Sequence, residues 1–327
     1  MCQNKLEFPT LSRKNQHQQL LHETYLQRTK VICNMNIIHL SVLQQMRAMF
    51  RLCFIVLAIT VLASTANLFC TLKCLKIGVQ HGACVNPNGR LSGDCPPTTR
   101  ILNMNTNGYK KFLLHQHNQL RNTIAAGRVA KLPQANRMGE VFWDRQLGFL
   151  SVFSGKRCSL SDPYCYRTGL LANPGRVAKI FQFPNKSDVK PANVKLKIGE
   201  WFKEINETAN AFEDLFPPHA NKVLNVAHII HEENNRIGCS MSHWTSKDAN
   251  ETLMLVCLYA TDLKNNSPLY SLGPPASRCL SKWSILYRNL CSINEDYDYS
   301  EGLTQGINTH ATVAVPFYKR TGSTHSG

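Results

Sequence analysis

The chain has 327 residues, with 37 Lys and Arg against 21 Asp and Glu, which gives a formal net charge of +16. The basic residues are scattered rather than clustered, so they favour a solvated basic surface over a nucleic-acid-binding patch. The strongest apolar run, residues 52–63, is 12 residues long, whereas a helix needs about 20 to cross a bilayer. Length, composition and charge therefore disfavour a nucleic-acid-binding protein and a stable membrane span.

Residues 46–66 have the pattern of a secretory signal peptide. Arg47 and Arg51 precede the apolar run, and the small residues Ser-Thr-Ala at 64–66 follow it, which is typical of such signals. Because signals normally begin a chain, we expect translation to start at Met46 or Met49. Residues 1–45 are then a non-native upstream extension or a disordered segment, and the protein is secreted and extracellular.

The chain after the signal is about 260 residues long, enough for one domain with a core of its own and a tail. Residues 1–66 hold seven Lys and Arg and two Asp and Glu, so the remainder keeps a net charge of +11. Residues 67–106 contain four cysteines and turn-forming residues, which predicts a disulfide-stapled lead segment.

Ten of the 13 cysteines follow the apolar run. An even number of cysteines after a secretory signal is typical of a disulfide framework. The spacing alone leaves the connectivity open. The ten residues are Cys70, Cys74, Cys84, Cys95, Cys158, Cys165, Cys239, Cys257, Cys279 and Cys291.

Candidate N-glycosylation sites agree with secretion. Asn185, Asn206 and Asn250 each begin an Asn-x-Ser/Thr pattern. Asn265 begins a fourth, which is the weakest because Pro268 follows it.

Helical periodicity begins after the lead segment. Apolar residues from Tyr109 to Ile124 recur at helical spacing, and Gly127 is a plausible terminator. Asp144 is a candidate cap for a second helix. Residues 159–192 are rich in Pro, Gly, Lys and Ser and predict long loops, whereas residues 194–212 carry the clearest helical stripe.

The last third of the chain contains two predicted strands and a tail. Residues 236–242 and 253–260 predict strands, which a bridge between Cys239 and Cys257 would tie together. Helices interleaved with strands predict a mixed α/β sandwich. From residue 271 the chain becomes polar, and we expect order only around Cys279 and Cys291.

Several short motifs follow one another in order, and together they resemble one family. They are Cys70-Thr-Leu-Lys-Cys74 with Cys84, His117-Asn-Gln-Leu-Arg121, Met138-Gly-Glu-Val-Phe-Trp143, Trp201-Phe-Lys-Glu204, Arg236-Ile-Gly-Cys239, Leu255-Val-Cys257-Leu-Tyr259 and Gly273-Pro-Pro-Ala-Ser-Arg-Cys279 with Arg288-Asn-Leu-Cys291. Over roughly residues 68–291 the chain resembles the CAP superfamily (cysteine-rich secretory proteins, antigen 5 and pathogenesis-related 1; SCP domain). Within that superfamily it is most similar to the insect antigen-5-like, or venom-allergen-5-like, branch.

The resemblance implies an α+β fold, a CAP-type α-β-α sandwich stapled by disulfides. With the lead segment at 67–106 and the tail at 271–327, the expected CAP domain spans residues 107–270. The resemblance implies four bridges, and the two remaining cysteines would form a fifth inside the tail. The pairs are Cys70–Cys84, Cys74–Cys165, Cys95–Cys158, Cys239–Cys257 and Cys279–Cys291.

CAP domains carry a central cleft with two histidines and two acids, a set able to hold a divalent metal such as zinc. At the matching positions this chain has Asp162, Arg176, Glu204 and Asn225. Only Glu204 keeps the family's residue type. A guanidinium in the cleft would repel a divalent cation and can pair with Glu204 or Asp162 instead. We therefore expect no metal, no cofactor and no catalytic residue there.

The histidines leave alternatives open. A short deletion in the alignment would make His228, rather than Asn225, the cleft residue. His228 and His231 with the two following glutamates could also form a separate metal site, although two histidines without a third fixed ligand are more often structural. His117 lies within an apolar stripe and is expected to be buried and hydrogen-bonded, with Arg121 as its structural companion. Trp143 and Trp201 are expected in the core.

The combined pattern favours a secreted, non-enzymatic binding protein for a small lipid, such as a sterol or fatty acid, or for an extracellular protein. The alternatives are a metal-dependent hydrolase or protease-like protein, and a protease inhibitor or channel modulator. The cysteines are assigned to disulfides, and the chain has no Gly-x-Ser-x-Gly elbow, phosphate-binding glycine loop or His-Glu-x-x-His motif. The oligomeric state is open.

Overall fold

The structure, a computed structural model, describes residues 45–47, 49–51, 69–85, 89–210, 221–264 and 267–299. The chain divides into two compact units, Met1–Ser64 and Thr65–Gly327. In the first unit the described residues, 45–47 and 49–51, are helical. The predicted upstream extension, most of the signal peptide and the end of the tail lie outside the described residues.

The second unit contains eleven described elements. In chain order they are α1 (Gly82–Val85), β1 (Arg100–Leu102), α2 (Tyr109–Ala125), β2 (Phe142–Trp143), α3 (Arg145–Gly155), β3 (Gly175–Phe183), a 3-10 turn (Lys186–Asp188), α4 (Pro191–Asn210), α5 (Asn221–Ile230), β4 (Arg236–Thr245) and β5 (Glu251–Tyr259).

Helices α2 and α3 begin and end where their sequences predict. Leu113 and Ile124 are completely buried on the apolar face of α2, and Gly127 adopts a φ of 68° just after its end, a conformation that glycine adopts without steric cost. Asp144 caps α3, because its Oδ1 accepts hydrogen bonds from the backbone amides of Gln146 at 2.8 Å and Leu147 at 3.0 Å. Both predicted helices are confirmed.

The strands form one sheet in the order β1-β4-β5-β3, and β2 pairs in parallel with β4. Strands β4 and β5 are antiparallel, and their register places Cys239 opposite Cys257. Every residue of β5 is buried, because the strand lies between two neighbours and is covered on both faces. This explains why its sequence is continuously apolar.

Helices cover both faces of the sheet. Side chains alternate along a strand, so Val177 and Phe181 of β3 join the core formed with α2, α4 and α5. Even-numbered residues such as Leu258 of β5 face the other way, onto α3 and the lead segment. The architecture is the predicted α-β-α sandwich.

Five disulfides staple this sandwich, with Cα–Cα distances between 4.1 and 6.0 Å. One of them lies within the lead segment, and two join the lead segment to the loop that follows α3. The fourth joins β4 to β5, and the fifth closes a loop in the tail. The pairs are Cys70–Cys84, Cys74–Cys165, Cys95–Cys158, Cys239–Cys257 and Cys279–Cys291, the same pairs that the family resemblance implies.

The prediction of loops across 159–192 is wrong for residues 175–183. These residues form β3, which pairs with β5 along its whole length. The strand lies at the edge of the described sheet, and buried and exposed residues alternate along it only in part. The two-residue hydrophobic period that predicts a strand is therefore weak, and the Gly- and Pro-rich residues around it favour a loop. Helix α5 was also not assigned from the sequence.

The tail is ordered further than its sequence predicts. Tyr297 and Tyr299 are buried, and the hydroxyl of Tyr299 donates to the backbone carbonyl of Glu233 at 2.9 Å. The carboxylate of Glu295 accepts from Arg137 Nε at 2.8 Å and from the Ser281 hydroxyl at 2.7 Å. Residues 271–299 therefore pack as part of the second unit.

Candidate functional site

The first two cleft positions, Asp162 and Arg176, contact each other. The side chain of Asp162 is completely buried, and its Oδ2 accepts hydrogen bonds from the hydroxyls of Ser154 and Tyr166, both at 2.6 Å. The Nε of Arg176 lies 3.4 Å from the same oxygen. A carboxylate with these three partners is already neutralised and solvated by the protein.

The guanidinium of Arg176 is committed to the loop after α3. Its Nε donates to the Ser154 hydroxyl at 2.8 Å, its Nη1 to the carbonyl of Leu160 at 2.6 Å and its Nη2 to the carbonyl of Ser159 at 2.9 Å. Burial lowers the pKa of Arg176, and the neighbouring Asp162 opposes this effect. Arg176 therefore connects β3 to this loop as a structural cation.

Tyr166 completes the cluster as a hydrogen-bond donor. Burial raises the pKa of its phenol, and the charge of Asp162 raises it further, so the hydroxyl keeps its proton. Sequence reasoning did not single out Ser154 or Tyr166 for this role. The available signal was positional, because Ser154 lies on the inner face of α3 and Tyr166 directly follows Cys165, which the Cys74 bridge fixes.

Glu204, the third cleft position, lies on the other side of the sheet. It projects from α4 with a side chain that is 64% exposed, and it pairs with Lys179 at 3.5 Å. Lys179 and Arg176 differ by an odd number of positions along β3, so their side chains leave the sheet on opposite faces. The structure thus brings Asp162 and Arg176 together and places Glu204 on the face that α4 covers.

The fourth position lies on α5. Asn225 is half-buried, whereas His228, one turn later, is buried and its Nε2 donates to Asp262 Oδ1 at 2.8 Å. The imidazole of His228 packs against the start of β3, since a Cβ on Gly175 would lie 2.5 Å from its Cδ2. His228 therefore lies against β3 on the sheet face covered by α5, and whether it or Asn225 is the cleft residue stays a prediction.

The cleft positions do not fit a bound metal. Asp162 is enclosed by its donors, and Arg176 carries a positive charge against it. The separate group at His228 and His231 is not assembled either, because the Glu232 carboxylate accepts from the amide of Ser271 at 2.7 Å. Within the described ranges, the group of three metal-ligating residue types that come together is Cys279, Cys291 and Glu295, and its two cysteines form a disulfide.

His117 is buried and hydrogen-bonded, as its place in the apolar stripe predicts. Its Nδ1 donates to the carbonyl of Leu113 at 2.7 Å, and its Nε2 accepts from the Tyr259 hydroxyl at 2.8 Å. Burial lowers the pKa of His117 to about 4, so the imidazole is neutral at physiological pH. It links α2 to β5 and has no free ligand atom.

Arg121 lies near enough to His117 for its charge to contribute to the lowered pKa of that imidazole, but its hydrogen bonds go to other residues. Its completely buried guanidinium donates to backbone carbonyls of the loop before β2 and of the C-terminal end of α5. Burial lowers its pKa to about 10. The accepting residues are Gly139 at 3.0 Å, Ile229 at 2.7 Å, His231 at 2.8 Å and Glu232 at 3.1 Å.

Two grooves border α2. One, of about 690 Å³, lies between α2 and α4, with an apolar floor and a charged rim. The other, of about 730 Å³, lies between α2 and the tail. The lining of the first groove includes Phe112, Leu196, Phe202, Lys195 and Lys203, and that of the second includes Lys110, Lys111, Glu140, Leu286 and Tyr287.

No family model matches the chain, but it is similar to insect proteins along most of its length. Venom allergen-1 of Aedes aegypti is 27% identical over 244 residues, which cover 74% of this chain and 93% of the relative. Antigen 5 like allergen Cul n 1 of Culicoides nubeculosus is 29% identical over 50% of this chain and 72% of its own. Tabinhibitin 3 of Tabanus yao is 25% identical over 73% of this chain and 93% of its own.

Among solved structures, the crystal structure of NaASP2 with Zn2+ aligns with a TM-score of 0.43 at 18% identity, over 56% of this chain and 94% of that chain. Along the part of the chain that the structure describes, no helix is long and apolar enough to span a membrane. The insect relatives support the resemblance that the ordered motifs indicate. The chain is similar to members of the insect antigen-5-like branch of the CAP superfamily.

Proposed function

We propose that this protein is secreted and acts as a non-enzymatic binding protein for a small lipid or an extracellular protein. The observation that carries the proposal is the closed cluster of Asp162 and Arg176. Metal-assisted hydrolysis needs an open coordination position and a base that can reach the bound water. Here the buried carboxylate already accepts from Ser154 and Tyr166, and the cation beside it disfavours a metal ion.

The relatives support a binding role. The names Venom allergen-1, Antigen 5 like allergen and Tabinhibitin denote no reaction. The framework of five disulfides also suits an extracellular protein. It stabilises the scaffold without contributing a free thiol for nucleophilic chemistry.

The groove between α2 and α4 is the site where we expect a lipid to bind. Phe112, Leu196 and Phe202 supply apolar surface, and the charged lining residues are Lys195 and Lys203 with Glu200 and Glu207. The apolar surface suits the chain of a fatty acid, and either lysine can pair with its anionic head. A sterol is the second ligand class to test.

Binding assays with a fatty acid and a sterol test this proposal, together with native mass spectrometry of the secreted protein. The side chain of Leu196 is 62% exposed, so Leu196→Glu should fold normally and weaken fatty-acid binding by tenfold or more, an order-of-magnitude expectation for placing a charge in an apolar contact. Leu170→Glu, at another exposed leucine, is the matched control. If neither lipid class binds, an extracellular protein is the remaining ligand of the proposal.

The enzymatic alternative has its own test. Turnover of protein substrates should be absent with and without a chelator. Chelator-sensitive turnover that Glu204→Ala abolishes would contradict the non-enzymatic role and favour a metal-dependent hydrolase.

Mass spectrometry of the same sample tests secretion and modification. We expect a mature start near Asn67, five disulfides and no peptides from residues 1–45. Glycans should be found at the exposed Asn185 and at Asn250 in the turn between β4 and β5. Asn206 is a weaker candidate, because it lies within α4 with its Oδ1 atom buried.

A further inference from the structure

We propose that the disulfide-closed loop of the tail, residues 279–291, docks the protein on an anionic phospholipid surface. Four large apolar side chains of this tail loop point into solvent. Leu280 is 77% exposed, Trp283 63%, Ile285 90% and Leu286 78%. Exposed clusters of this kind mark protein or membrane contact sites, because solvating them costs free energy.

The tail loop is cross-linked by a disulfide and by hydrogen bonds within it. The Cys279–Cys291 bridge closes the loop, and Leu290 and Cys291 are completely buried beneath it. Inside the loop the Ser284 hydroxyl accepts from the amides of Leu286 at 3.2 Å and Tyr287 at 3.0 Å. These backbone amides are therefore hydrogen-bonded within the loop, whereas the four apolar side chains, the apolar tips of the loop, are exposed to solvent.

The tail loop is also fixed to the body of the second unit. Tyr287 OH is hydrogen-bonded with His115 Nδ1 at 3.1 Å, and the amide of Asn289 donates to Asn122 Oδ1 at 3.1 Å. Both partners lie on α2. The tail loop is therefore attached to the folded domain at two positions of this helix.

The charge around the apolar tips has one sign. Arg278, Lys282 and Arg288 are exposed, and the sequence from 278 to 291 contains no acidic residue. Lys110 and Lys111 line the adjoining groove beside Leu286, together with a single acid, the half-buried Glu140. The next exposed acids along the chain, Asp296 and Asp298, come after the loop. This pattern complements a negatively charged surface.

The observations favour a membrane over a protein partner. Tryptophan is enriched at membrane–water interfaces, and basic residues beside apolar ones are typical of segments that lie in the interface. Lysine is depleted in protein–protein interfaces, yet Lys282 lies among the apolar tips of the loop. Each basic residue near an anionic leaflet contributes roughly fivefold in affinity, so the three loop cations together could contribute about a hundredfold.

Vesicle binding tests this proposal with the full secreted protein. The probes are phosphatidylcholine vesicles with and without roughly 30% phosphatidylserine, which provides an anionic leaflet. We expect binding to the anionic vesicles, at least tenfold weaker binding to the neutral ones, and a loss of binding as salt screens the charges. The double variant Trp283→Ala, Ile285→Ser should bind at least tenfold more weakly, whereas Ile77→Ser, at a side chain 98% exposed in the lead segment, should bind normally.

Tryptophan fluorescence locates the contact. Of the four tryptophans, Trp201 and Trp244 are buried and Trp283 is the most exposed. Brominated lipids should quench the emission of the wild-type protein, and Trp283→Phe should keep most of the binding while losing most of the quenching. Lys282→Ser should weaken binding to anionic vesicles about fivefold.

Three outcomes would overturn the proposal. They are no binding to anionic vesicles, binding that the double variant leaves intact, and loss of a protein partner rather than of vesicle binding in that variant. The groove variant Leu196→Glu should bind vesicles normally, because Leu196 lies in the groove between α2 and α4. Failure of the lipid-carrier proposal and failure of membrane docking can therefore be told apart.

Discussion

Replacing Arg121 by methionine should destabilise the protein by about 3 kcal/mol. Methionine fills much of the same space without a charge, so the change chiefly removes hydrogen bonds. Arg121 is completely buried, and its guanidinium donates to carbonyls that belong to two separate segments. Without it, the end of α5 and the loop before β2 lose their common donor.

The magnitude follows from two opposing contributions. Of the four accepting carbonyls, that of His231 also accepts from the amide of Asn234 at 3.0 Å, so three lose a principal partner. At about 2 kcal/mol for each buried unsatisfied carbonyl, the loss is about 6 kcal/mol. Burial lowers the pKa of Arg121 from 12.5 to about 10, so removing the charge returns about 3 kcal/mol. The difference is about 3 kcal/mol.

Urea and thermal unfolding with the disulfides intact would measure this difference. For a domain of this size, 3 kcal/mol corresponds to a decrease in Tm of about 6–12 °C. Arg128→Met, at an exposed arginine just after the same helix, is the matched control and should unfold like wild type. Arg121→Lys should fall between them, because one ammonium cannot reach all four carbonyls. If Arg121→Met unfolds within about 1 kcal/mol of wild type, a structural role for these bonds is refuted.

Three further predictions concern pH, the tail and the sheet. The pKa of His117 falls from 6.5 to about 4 on folding because of burial, so its contribution to stability is complete above pH 6.5 and is lost as the pH falls toward 4, by about 3 kcal/mol. Burial also lowers the pKa of His231 to about 4, so His117→Gln should reduce the slope of the urea midpoint against pH in this window by about half. Glu295→Gln removes the charge that accepts from Arg137 and Ser281, so it should cost about 2 kcal/mol and speed proteolysis of residues 295–299. Gly238→Ala should prevent normal folding, since its Cβ would lie 1.9 Å from a backbone nitrogen of α3, and secretion yield is the readout.

Each of these three predictions has a matched control variant. His115→Gln, at an exposed histidine of the same helix, should leave the pH profile steep, and Glu200→Gln, at an exposed glutamate of α4, should leave proteolysis of the tail unchanged. Gly93→Ala should be neutral, because a Cβ at that position meets nothing within 4 Å. A flat wild-type pH profile, an unchanged cleavage rate in Glu295→Gln or normal secretion of Gly238→Ala would each contradict the corresponding argument.

Local patterns predicted the elements whose residues are buried on one clear face. Helix α2 shows a regular apolar stripe, and Asp144 caps α3 through bonds to residues two and three positions later. The local pattern does not predict strand β3, because this strand is held by pairing with β5, 68 to 84 residues further along the chain. The packing of Tyr297 and Tyr299 was missed for the same reason, since their partners lie about 65 and 160 residues earlier.

The sequence by itself determined the family resemblance, the disulfide-rich class and the residue types at the expected cleft positions, because these depend on which residues occur and in what order. Only the tertiary structure decided where the side chains point. Alternation along β3 places Arg176 with Asp162 on one face and Lys179 with Glu204 on the other. Arg121 likewise donates to carbonyls that are distant in sequence. In the tail loop, Leu290 and Cys291 are buried whereas the apolar side chains before them are exposed. Such arrangements arise from long-range packing, which local spacing does not encode.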